Sequence, residues 1–214
     1  MKARFESYYC GYVGRDISHW HRRAFGSREE FLGEAPQGAL DADVLELDRY
    51  YRDLAHLPLE QRAKVNFDAP GALEHELLIR QVVGLRNGET VQLPVYDFAK
   101  HSRTSKTETL QPSKVLIVEG LFALYWLALR ELLDTKVYVD LHDEVCLARR
   151  KSRDVRERGR TMESVIEQFE ATVVPMAQRY LRPSIEHADV VVSGTEGIEK
   201  GVAQVIEHYH RSKR

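Results

Sequence analysis

The sequence predicts an α/β domain built on a parallel sheet, and three observations carry that prediction. From Ala42 onward, short β-rich runs alternate with longer helical stretches. One of those runs, Val115-Leu116-Ile117-Val118, is apolar throughout between Lys114 and Glu119-Gly120, the pattern of a strand buried on both faces. Two acidic residues, Asp48 and Glu119, stand just after apolar runs, at the strand ends where such sheets collect their ligands.

The elements follow in order. Val44 to Leu47 reads as a strand ending at Asp48. Gly71 to Leu85 carries helical spacing, and Asn87-Gly88 punctuates before a short strand from Thr90 to Leu93. After Val115–Val118 come a helix over Leu121 to Leu133 and a strand over Lys136 to Asp140. Asp143 to Gly159 is a highly charged helix, and Met162 to Tyr180 another with an amphipathic stripe. Ala188 to Val192 is a last strand and Ile198 to His210 a closing helix. No linker divides this stretch and no internal repeat is visible.

A chain of 214 residues suits one domain with a real core. Its net charge of −2 gives no global attraction to nucleic acid or anionic membranes, so any basic function must be local. The two cysteines, Cys10 and Cys146, have neither metal-site spacing nor a disulfide framework, which fits a reducing cytoplasm. No apolar run approaches the roughly 20 residues that span a bilayer. The N-terminus also lacks the pattern of a secretory signal.

Asp48 and Glu119, facing one crevice, can hold Mg²⁺ through oxygen or take a proton from a substrate hydroxyl. A lone carboxylate after a strand is more simply a helix cap, but two after separate strands favour chemistry. A second local feature is basic. Arg149, Arg150, Lys151, Arg153, Arg156, Arg158 and Arg160 fall within about three helical turns. A solvated helix face is the plain explanation of such a run. Yet Arg150 and Arg153 lie three apart on one face, and guanidinium forks suit phosphate oxygens.

From Val44 to Val192 the chain resembles the uridine kinase family. The resemblance rests on Leu47-Asp48-Arg49-Tyr50-Tyr51-Arg52-Asp53-Leu54, Asn66-Phe67-Asp68, and Pro94-Val95-Tyr96-Asp97-Phe98 with His101 and Arg103. It continues through Val118-Glu119-Gly120, Arg149-Arg150, Arg153-Asp154, Glu157-Arg158-Gly159-Arg160, Val174-Pro175-Met176 and Ala188-Asp189-Val190. Each piece alone is weak, but their order and spacing together are specific. The resemblance implies a parallel-sheet P-loop kinase fold with a helical lid, passing the γ-phosphoryl of ATP to the 5′-hydroxyl of uridine or cytidine.

In that light Asp48 becomes the base and, with Glu119, a partner of Mg²⁺. Asp68 becomes the ribose-binding acid, able to accept from two vicinal hydroxyls. Tyr51, Tyr96 and His101 belong to the nucleoside pocket. Arg150 and Arg160 reach the nucleoside side and Gln168 offers a donor and an acceptor to the pyrimidine edge. Arg153 and Arg158 clamp the transferring phosphate, in a lid that closes over the substrate. Without that context, Tyr96 would read as a half-buried strand aromatic and His101 as an ordinary loop histidine. The family implies pyrimidine nucleoside salvage, no nucleic-acid or membrane partner, and a homo-tetramer. Two departures are mild: Ala69-Pro70-Gly71 stands where His-Pro-Asp is usual, and Glu74 where aspartate is common.

The serious departure precedes Ala42. Such a kinase needs G-x-x-x-x-G-K-[ST] after its first strand, because backbone N–H groups and a lysine cradle the phosphates. Residues 1–41 contain no such motif, so they are set apart as an aberrant segment from a kinase-like domain over 42–214. Ser18-His19-Trp20-His21-Arg22-Arg23 is too charged to be the buried central strand. A one-base forward shift from Ser18, however, permits V-I-G-I-A-G-P-S-G-A-G-K-S-S-L-A across residues 18–33. Trp20 has a single codon, and the shift makes it glycine. The result is a strand, a complete phosphate loop and the opening of a helix. As it stands the chain lacks its middle strand, so residues 1–38 should be poorly ordered or irregularly packed; the alternative is that the run Phe5 to Val13 fills the vacant slot as a substitute strand. Two other readings stay open: a nucleoside-binding relic that lost ATP binding, and a related phosphoribulokinase or pantothenate kinase.

Overall fold

The computed structural model describes residues 9–14, 42–113, 115–158, 160–195 and 198–212, with the backbone alone over 9–14. Strand β1 spans Tyr9–Gly14 and β2 Ala42–Glu46, which runs into a 3₁₀ turn at Leu47–Tyr50. Helix α1 (Leu59–Arg62) and helix α2 (His75–Arg86) precede β3 (Val91–Asp97) and β4 (Ser102–Leu110). Then come β5 (Val115–Glu119), α3 (Leu127–Arg130), β6 (Thr135–Asp140) and α4 (Asp143–Arg158). The chain closes with α5 (Met162–Gln168), α6 (Val174–Met176), β7 (Val190–Ser193) and α7 (Ile198–Ser212). Among the described residues, no helix is long and apolar enough to cross a membrane.

The main sheet has the order β2-β5-β1-β6-β7. Strands β2 and β5 run parallel, as do β6 and β7. Strand β5 reads as its sequence requires: Val115, Leu116, Ile117 and Val118 are all buried. The departure from a parallel sheet is at its centre, where β1 lies antiparallel to both β5 and β6. The alternative of a substitute strand is the one seen, over Tyr9–Gly14, and the strand enters the middle slot reversed. Phe5 to Tyr8 and the rest of residues 1–38 lie outside the described residues.

Three other expectations change. The strand expected over Thr90 to Leu93 runs on to Asp97 and pairs with β4 in a separate two-stranded sheet. His101, at φ 47°, lies in the turn between them. In place of a helix over Leu121 to Leu133 there are turns and the four-residue α3. The reason is burial: Leu121, Phe122, Ala123 and Leu124 are consecutive and all buried, which a helix with a solvated face cannot achieve. The stretch after Met162 is helical but opens into π turns at Phe169–Val173 and Ala177–Leu181. They flank Pro175, whose missing N–H and bulky ring disfavour a regular α ladder.

Gly120 fixes the exit of β5. It takes φ 144°, and a Cβ placed there would lie 2.5 Å from the Cβ of Leu47. The backbone after Glu119 thus passes directly against the turn that carries Asp48. Gly120→Ala is expected to cost roughly 1–3 kcal/mol of stability through this close approach and the disfavoured backbone angle. Urea denaturation measures it, and a midpoint equal to the parent's would refute the packing argument.

Candidate active site

Strand register sets the two acidic residues at the same edge of the sheet. Glu46 is paired with Glu119 across β2 and β5, and Asp48 follows two residues later in the 3₁₀ turn. Leu47 and Tyr50 are buried, so the turn is anchored on either side of Asp48. The Tyr50 hydroxyl donates to Gln81 Oε1 at 2.6 Å, tying the turn to α2. The β3–β4 hairpin grips the same turn from outside. Arg49 Nη1 donates to Glu108 Oε2 at 2.6 Å. Arg103 donates through Nη2 to the Tyr50 carbonyl at 3.1 Å and through Nε to the Tyr51 carbonyl at 3.0 Å. Its Nη1 also reaches Glu74, so the side chain standing where aspartate is common has a charged partner.

Beside this edge lies an aromatic box centred on Tyr51, which is buried. Its ring meets Phe67 at 5.3 Å edge-on, Tyr96 at 5.5 Å and Phe98 at 6.4 Å edge-on. His101 stacks on Phe67, with ring centroids 4.9 Å apart and planes 20° from parallel. Burial is the largest cause holding the His101 imidazole below its ordinary pKa. A neutral imidazole presents one donor and one acceptor. Tyr51, Tyr96 and His101 are thus brought into one aromatic cluster, and Phe67 and Phe98 join them.

Asp68 follows Phe67 and is 6% exposed. Its backbone N–H donates to Asn66 Oδ1 at 3.0 Å, and Thr172 donates to its Oδ2 at 3.0 Å. The other oxygen, Oδ1, is buried without a hydrogen bond, as is the Tyr96 hydroxyl. Burial, the largest cause, raises the Asp68 carboxyl to about 6, against the opposing pull of Arg150 and the Thr172 hydroxyl. The Tyr96 phenol is pushed up to about 12, again chiefly by burial. Unpartnered buried polar atoms cost roughly 1–3 kcal/mol each. Two such atoms stand by one aromatic cluster.

The lid side of the site is formed by α4 and α5. Arg150 is 6% exposed, and its Nη2 donates to Gln168 Oε1 at 3.0 Å. Arg160 donates to the same oxygen at 2.6 Å and to the Ser164 carbonyl at 3.0 Å. The Gln168 carbonyl is therefore committed to two guanidinium groups. That leaves the amino group as the polar group of this side chain not used in these two bonds. Arg149 turns away to the Gly194 carbonyl at 3.0 Å. The side chains of Arg153 and Arg158 lie outside the described residues.

Sequence reasoning missed Thr172 and Asp154. Asp154 is fully buried between Arg150 and Arg160, and its signal was its place four residues after Arg150 on the predicted helix. Thr172 carried no signal short of the three-dimensional contact with Asp68.

The α/β fold, with Asp48 and Glu119 following the paired strands β2 and β5, is that of the P-loop kinases. D-glycerate 3-kinase from Cryptococcus neoformans var. grubii shares the fold, with a TM-score of 0.53 and 16% identity over 73% of this chain and 77% of that one. The model of the phosphoribulokinase/uridine kinase family matches residues 29–197, and the chain belongs to that family. It is 46% identical to the uridine kinase of Shewanella amazonensis over 149 residues, 70% of each chain. It is also 46% identical to the uridine kinase of Macrococcus caseolyticus over 160 residues, 75% of this chain and 77% of that one. A kinase reaction is the activity this membership carries.

Proposed function

We propose that the activity encoded in residues 42–214 is transfer of the γ-phosphoryl of ATP to the 5′-hydroxyl of uridine, with cytidine as a second substrate, in pyrimidine salvage. One observation carries the reading: the unpartnered Asp68 Oδ1 and Tyr96 hydroxyl, buried around the aromatic box beside Asp48. Ribose hydroxyls donate to Asp68, and a pyrimidine edge meets Tyr96 and His101. The aromatic rings exclude water from the base, and the Gln168 amino group donates to the nucleoside. Asp48 accepts the 5′-hydroxyl proton as the phosphoryl group arrives, while lid guanidinium groups neutralise the charge of the moving phosphate. Arg153 and Arg158 are assigned that role.

Asp48 and Glu119 suit a magnesium ion. Among the described residues, no group of three or more His, Cys, Asp or Glu side chains gathers to hold a metal. Two carboxylates at one edge fit an ion that takes its remaining ligands from phosphate and water. When bound it supplies charge neutralisation at the phosphate oxygens.

The reversed β1 favours a second statement about this exact polypeptide: it binds nucleoside but transfers phosphate poorly. Calorimetric titration tests the first half. Uridine is expected to bind more weakly at low pH, because ribose donors favour the ionised Asp68. With the free carboxyl near 6, affinity at pH 5 should be about tenfold below that at pH 7. Asp68→Asn should remove this pH dependence and most of the affinity. If neither uridine nor cytidine binds at pH 7, the nucleoside reading fails.

A further inference from the structure

We propose that Asp154 is a positioning residue of the nucleoside pocket, acting through Arg150 and Arg160. The inference rests on the nucleoside-binding reading above and goes beyond it, because Asp154 itself is buried away from any ligand. It is fully buried on α4, one turn after Arg150. Its Oδ2 lies 3.7 Å from Arg150 Nε and accepts from Arg160 Nη1 at 3.3 Å. The Arg160 backbone N–H also donates to the Asp154 carbonyl at 3.2 Å, so the chain leaving α4 folds back onto this residue. Both guanidinium groups then converge on one atom, Gln168 Oε1.

The arrangement has a physical logic. Two cations sharing a neutral acceptor repel one another, and a carboxylate between them is what lets them stay together in a buried place. Arg150 in turn draws the Asp68 carboxyl toward ionisation. Asp154 thus sets where both guanidinium groups stand, which way the Gln168 amide faces, and how the cation beside Asp68 lies. Neutralising it leaves both arginines in place as residues but without the centre that aligns them.

The test is uridine binding by calorimetry on the full chain, with circular dichroism and thermal unfolding alongside. Asp154→Asn is expected to weaken uridine binding at least tenfold while the helical signal is retained. In an Arg160→Met background the same change should cost only about threefold, because only the share of its effect routed through Arg150 remains. A purely structural carboxylate would cost the same in both backgrounds, and that result overturns the proposal. So does Asp154→Asn binding within twofold of the parent. Should Asp154→Asn fail to fold, Asp154→Glu decides. It keeps the charge and moves it by one methylene, and it should weaken binding about fivefold; binding within twofold of the parent overturns the inference. If the parent chain itself fails to bind uridine, the nucleoside reading has failed, a result distinct from any of these.

Discussion

Replacing residues 18–33 by V-I-G-I-A-G-P-S-G-A-G-K-S-S-L-A is expected to raise ATP-dependent formation of uridine monophosphate at least about 10³-fold, the scale that phosphate positioning and charge stabilisation command. The argument is one of strand direction. A phosphate loop works when it leaves its strand at the edge where Asp48 and Glu119 stand. In β1, Cys10 is paired with Glu119 and Gly14 with Val115, so the chain leaves β1 at the far edge. A strand advances about 3.3 Å per residue, so four residues put that exit roughly 13 Å from Glu119. The inserted V-I-G-I is apolar enough for a slot whose neighbours Val118 and Val137 are buried. Run parallel, it delivers Gly-Lys-Ser to the correct edge and displaces β1. The product is measured by chromatography. Intact uridine binding with less than a tenfold gain in turnover would end the idea. The coding DNA offers an independent test, because codons at residues 18–33 that forbid this reading would do the same.

In that repaired chain, Asp48→Asn should reduce kcat by about 10²–10⁴-fold, the range of a lost general base, while uridine affinity stays within threefold. Asparagine matches aspartate in size, so the turn between buried Leu47 and Tyr50 keeps its shape. It cannot take the hydroxyl proton. Single-turnover kinetics separate this from a binding defect, since the loss falls on the chemical step alone. A kcat within tenfold of the parent would move the proton acceptor elsewhere.

What the sequence made legible follows from which forces write themselves into it. Val115–Val118 is buried on both faces, so hydrophobicity alone announced it, and the register that joins Asp48 to Glu119 followed. Strand β4 stayed hidden because Ser102–Leu110 is mostly exposed, leaving only its threonines as a β signal. The turns over Leu121–Tyr125 were invisible for the opposite reason, since an unbroken apolar run looks like a helix until its burial is known. In the site, Asp68, Tyr96 and His101 were reached through ordered family motifs. Their gathering around Tyr51 and Phe67 is a matter of tertiary contact that no spacing encodes. The same holds for the single oxygen of Gln168 shared by two arginines.

Arg103 has a mechanical consequence. It reaches from β4 to the carbonyls of Tyr50 and Tyr51, while Arg49 reaches back to Glu108 on the same strand. The hairpin and the turn that carries Asp48 are riveted at two points, like the arms of a pair of tongs. Tyr96 rides on one arm and Asp48 on the other. Under the proposed function, any tilt of the hairpin as a base slides in beside Tyr96 would be handed to Asp48, so the fit at the substrate's base end would set the aim at its 5′ end.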